Sequence, residues 1–138
     1  MRALILAGLL AGISSTAFAA EPANIVGTWV PVSYGGAYLG TDGGQADSNK
    51  AVFTNGTAKA WNYVVDKQEG AAFYGASRSP TGEQSVFVGV FSPDGTHFWT
   101  STGRGNHEGQ VMGNQLEICW TDNVPNYIGV SCAVYQRQ

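Results

Sequence analysis

Two histidines and two cysteines have the widest chemical reach of any side chains in this sequence, and their spacing limits what they can do. His97 falls in a short apolar run and His107 directly precedes the next one, with the turn signal "GRGN" (103–106) between them, which predicts neighbouring strands. A histidine pair so placed can begin a metal site or an acid–base pair. By strand alternation Glu108 points away from His107, and Asp94 sits in a turn, so the obvious positions supply no third ligand. The competing reading is one histidine lining an interior and one beside a turn, with no metal. Cys119 and Cys132 do not form a CxxC pair and have no histidine close in sequence. Their even count points to one structural disulfide. No serine stands in a nucleophile-elbow pattern, and no paired carboxylates stand out. Asp42 and Asp47 match no calcium-loop spacing. The expectation is no catalytic residue, no metal and no cofactor.

The aromatic load points elsewhere. Trp61, Tyr63, Phe73, Trp99, His107 and Trp120 form the candidate ligand-lining set, with Phe87 beside them. A bulge within 103–106 would exchange Trp99 for Phe98. Small residues on the same runs, Gly75, Ala76 and Gly89, could leave room for a ligand. The alternative is that the aromatics fill the interior. Eight-stranded barrels are just wide enough either to be filled or to hold one small molecule.

The elements that would position these side chains are all strands. Apolar runs of five to eight residues, rich in Val, Phe, Tyr, Trp and Thr, alternate with turn residues, and helical periodicity is nearly absent. The runs are 26–33, a weak one at 51–54, then 58–66, 71–77, 85–92, 96–102, 108–112, 115–121 and 130–137. "SPDG" (92–95), "GRGN" and Gly113-Asn114 are tight hairpin signals. A two-residue turn at 113–114 pairs Met112 with Gln115 and His107 with Trp120. Leu116, Ile118 and Trp120 then face inward, and Cys119 faces outward to meet Cys132. Ser131, Ala133, Tyr135 and Arg137 face in by the same count. The expected fold is all-β, an eight-stranded antiparallel up-and-down barrel with one disulfide. Two loops are expected to stand out from it, 34–50 and 121–129.

Residues 1–19 read as a signal peptide. Arg2 is followed by an apolar run, Ala3 to Ile13, and by Ala17-Phe18-Ala19 as a small-x-small cleavage pattern. The run is too short for a membrane span. Residues 20–138 then form a single domain, periplasmic or secreted, with no membrane insertion after cleavage. Only 12% of residues are charged, and the basic ones are scattered. Nucleic acid and anionic membranes are therefore poor partners.

An inward arginine in a last strand requires a partner, and Trp29 supplies one. In a closed eight-stranded meander the last strand pairs with the first, so Arg137 can lie across the indole of Trp29. Gly27-Thr28-Trp29 resembles the G-x-W motif in the first strand of the calycins, the lipocalin and avidin barrels. Tyr135-Gln136-Arg137 resembles the arginine-bearing last strand that packs on that tryptophan. The lipocalin T-D-Y motif has no match, since Asn123 follows Thr121-Asp122. The resemblance implies a calycin-like barrel, Trp29 and Arg137 as structural residues, and an open end that binds something.

Two functions fit this reading. The first is a non-enzymatic binding protein for a small apolar or aromatic molecule held in the barrel. The alternative is a protein-binding module, such as a secreted protease or lysozyme inhibitor, acting through loops 34–50 and 121–129. A ligand carrier would hide its aromatics in a cavity, and an inhibitor would show Tyr34, Tyr38, Leu39 or Val124-Pro125-Asn126-Tyr127 on a protruding loop.

Overall fold

In the computed structural model, residues 20–40, 51–57 and 60–138 are described. They carry nine strands: β1 (Gly27–Gly40), β2 (Val52–Asn55), β3 (Asn62–Glu69), β4 (Ala72–Arg78), β5 (Gln84–Phe91), β6 (His97–Thr102), β7 (Gly105–Met112), β8 (Gln115–Val124) and β9 (Tyr127–Arg137). All pairings are antiparallel, each strand from β3 onward pairs with the next, and β1 closes the sheet on β9. The short β2 and the longer β3 pair with successive parts of the same edge of β1, Gly35–Tyr38 and Gly27–Trp29 respectively. They act as one interrupted strand, so the barrel is eight-stranded. Among the described strands, closure leaves no long unpaired edge for another chain to extend.

The hairpin at 113–114 has the expected register, with Met112 opposite Gln115 and His107 opposite Trp120. Leu116 and Ile118 are buried and Glu117 is exposed, as alternation requires. Cys119 and Cys132 face each other on adjacent strands, on the outside of the barrel, and are bonded.

The closed end is built around Trp29. Its indole Nε1 donates to the Ile25 carbonyl at 2.8 Å, and the Arg137 guanidinium lies 4.5 Å above its ring. Arg137 also donates to the carbonyls of Val26 (2.8 Å) and Asn24 (2.6 Å). The extended segment 20–25 thus crosses the barrel's end. It is tied there by backbone bonds from Ala20 to Pro93 and from Ala23 to Gly95, and by the Gln68 side chain, which bonds Ile25 N–H and Ala23 C=O. Ile25 is driven into the core as a plug.

Both expected loops need correction. Tyr34–Gly40 continues β1, and 121–129 is a strand pair closed by a tight turn at Pro125-Asn126. Glycine in 34–40 serves close approach rather than looping. A Cβ on Gly36 would sit 2.6 Å from the Ser131 Cβ, and one on Gly40 would sit 2.0 Å from the Asn126 carbonyl oxygen. Asn126 takes the left-handed conformation (φ 66°) after Pro125, as a type II turn requires. The rest of the expected loop, 41–50, and the expected signal peptide, 1–19, lie outside the described residues.

Candidate functional site

A bulge in β1 decides what faces the interior. The register against β9 shifts between Pro31 and Ser33, where the proline has no N–H to give the ladder. The extra residue exchanges the two faces. Trp29 points inward below the bulge, and Tyr34 points inward above it, five positions later. Without the shift an odd spacing would put them on opposite faces.

Inward residues differ systematically along the barrel axis. In the lower half Phe98 packs edge to face against Phe73 and Phe91, which are tilted against each other, all with centroids 5.5 Å apart. Their seats are glycines on neighbouring strands. A Cβ on Gly89 would lie 2.4 Å from the Phe73 ring, one on Gly109 2.1 Å from Phe98, and one on Gly75 2.8 Å from Phe87. Gly75 and Gly89 were expected to leave room for a ligand; instead they are covered by rings. In the upper half the same strands turn small or polar, with Ser77, Ser85, Thr102 and Asp122 at inward positions. The barrel is therefore filled below and open above, where it encloses a cup of about 610 Å³.

The walls of the cup are aromatic. Tyr34 lies against Trp120 with centroids 5.7 Å apart, and Trp120 lies 6.2 Å from His107. Trp61 completes the wall just before β3. Tyr63 forms the floor, stacked on Phe87 at 4.2 Å and tilted against His107 and Tyr135. The mouth is charged. Arg104 Nε stands 3.7 Å from Asp122 Oδ2, its guanidinium covers the Tyr127 ring, and Glu83 lies on the rim. Tyr38 and Tyr127 stack beside the mouth.

Electrostatically the floor is neutral. Burial pushes the His107 imidazole down to about 4, so it carries no charge at neutral pH. Burial likewise raises the Tyr63 phenol far above its ordinary range, with Thr100 beside it opposing in part, and raises Tyr135. His107 Nδ1 has no hydrogen-bond partner, so nothing orients this ring as a general base requires. The arrangement can bind a flat apolar body and exchange neutral hydrogen bonds with it.

The structure brings together four of the six expected lining residues, Trp61, Tyr63, His107 and Trp120. Phe73 belongs to the filled half instead. Trp99 is on the outside, 49% exposed, because the turn at Gly103-Arg104 adds no bulge and keeps Thr100 opposite His107. Phe98, not Trp99, shares the inward parity of His107. Tyr34, Thr102, Arg104, Asp122 and Tyr127 line the cup and were not expected there. Counting by twos from Trp120 would have found Asp122, whereas Tyr34 is hidden by the bulge.

His97 and His107 are on neighbouring strands but do not meet. His97 is opposite Gln110 at the lower end, and its Nδ1 is bonded to Asp94 Oδ2 at 2.6 Å. Among the described residues no three His, Cys, Asp or Glu side chains gather as a metal site would need. Comparison with protein-family models, with curated proteins and with solved structures finds no match for this chain.

Proposed function

We propose that this chain is an exported, non-enzymatic binding protein that holds a small aromatic or apolar molecule in the open half of a calycin-type barrel. The observation that carries this reading is the cup itself. Its volume is within the range of small-molecule sites, and its walls are aromatic with a few polar groups. The Trp29–Arg137 contact supports the calycin reading, and the disulfide suits an oxidising compartment. The alternative, a protein-binding module acting through loops, draws little support. Of its three candidate aromatics, Tyr34 and Tyr127 line the cup and Tyr38 is stacked on Tyr127 beside the mouth.

The test is a titration of the protein with a neutral hydrophobic fluorophore, followed by tryptophan emission. Saturable one-to-one binding is expected, lost in Trp120→Ala and kept in Trp99→Ala, which alters only the outer face. The reading fails if the probe does not bind, or if binding is lost with Trp99 rather than Trp120.

A further inference from the structure

Three polar atoms meet beneath the cup, Tyr63 Oη, Thr100 Oγ1 and His107 Nδ1; none has a hydrogen-bond partner of good geometry, although the Tyr63 phenol and the Thr100 hydroxyl are near enough to interact. The three residues are 1%, 3% and 9% exposed. Native proteins pair nearly all such atoms, and leaving one unpaired costs about 1–3 kcal/mol. Three incompletely satisfied polar atoms in one place are therefore an unusual cluster. They converge from three strands. Thr100 and His107 are directly opposite each other on β6 and β7, both on the inward face. Tyr63 reaches them from β3, its ring centroid 6.2 Å from that of His107 and its phenol in weak hydrogen-bonding contact with the Thr100 hydroxyl. Bulk solvent does not reach these atoms, and Tyr63 and His107 line the cup directly above.

We propose that the occupant of the cup is a neutral, planar aromatic molecule whose buried end carries a hydrogen-bonding group, such as an amide, a lactam or a phenol, held by Tyr63, Thr100 and His107. This inference rests on the reading of the cup as a ligand site and adds the class of ligand. Two hydroxyls and a neutral imidazole can each donate or accept, so they complement a group that does both. They do not complement a charge. The charged groups of the cup, Arg104, Asp122 and Glu83, are at its mouth, so a carboxylate or ammonium on the floor would be desolvated without a counter-ion. Trp61, Trp120 and Tyr34 offer the flat walls that a ring system requires.

Three probes that share one ring system decide the matter: naphthalene, naphthalene-2-carboxamide and naphthalene-2-carboxylate. Each is titrated at neutral pH and followed by tryptophan emission and calorimetry. The carboxamide is expected to bind about tenfold more tightly than the other two. In Thr100→Val, and further in Thr100→Val with Tyr63→Phe, that advantage should fall away while naphthalene binds as before. Both substitutions preserve shape, and the single Thr100 variant serves if the double one fails to fold. Equal binding of all three probes, or an advantage that survives the substitutions, overturns the inference and leaves the ligand site standing. Failure of all three to bind overturns both.

Discussion

His107 ties the cup to pH, because its imidazole is closed in by Tyr63, Trp120 and Thr100 with no acid among them. Burial lowers it from an ordinary 6.5 to about 4. Above the ordinary value both folded and unfolded chains hold it neutral, and it has no effect on the pH dependence of stability. Between about 6.5 and 4 the unfolded chain takes up the proton and the folded chain does not. Stability should therefore fall as pH falls through this window, by roughly 3 kcal/mol in all, and level off below it. Urea unfolding across the window, for wild type and His107→Gln, measures this directly. The part of the slope due to His107 should vanish in the variant. An unchanged slope would mean that the imidazole is not buried as described. The same residue shows how far the sequence could be read. Its pairing with Trp120 was legible from a two-residue turn and strict alternation, but its neighbour Thr100 was not. Whether Thr100 or Ser101 faces in depends on a turn at 103–106 that composition leaves open.

Between strands, the interaction that ties the barrel's closed end together is Arg137 on Trp29. One guanidinium makes two hydrogen bonds to carbonyls of the 24–26 segment and covers the indole, joining β9, β1 and the segment across the closed end. Arg137→Ala removes all three contacts and should cost about 2 kcal/mol, since exposure weakens each of them. Arg137→Lys should recover less than half of that, because a point charge cannot reach both carbonyls and still cover the ring. Thermal unfolding of the three proteins checks the order, and a lysine variant as stable as wild type would contradict it. This contact was legible because topology alone brings the last strand to the first. The segment it holds was not, for an extended stretch without period gives no signal until something for it to pack against is known. Strand lengths at the open end were misread for a related reason. Glycines at 35, 36 and 40 mark loops in most sequences, yet Gly36 and Gly40 answer the close approach of β9 and its turn.

At the scale of the whole barrel, stability and binding are divided between its two halves. Below, phenylalanine rings seated on glycines pack the interior. Above, small polar residues leave the cup, and beneath its floor three polar atoms lack a hydrogen bond of good geometry. Such a division predicts substitutions with opposite signs. Phe73→Ala opens a cavity in the packed half and should cost about 3–5 kcal/mol. Tyr63→Phe removes a buried hydroxyl that has no well-formed hydrogen bond and keeps the ring stacked on Phe87, so the empty protein should gain up to about 1 kcal/mol. Denaturant unfolding of both variants without ligand gives the two signs. If Tyr63→Phe proved destabilising, its hydroxyl would already be satisfied within the protein, and the floor would be ordinary core. A gain would mark the hydroxyl as kept at a cost to stability, the pattern expected of a residue that serves an occupant rather than the fold.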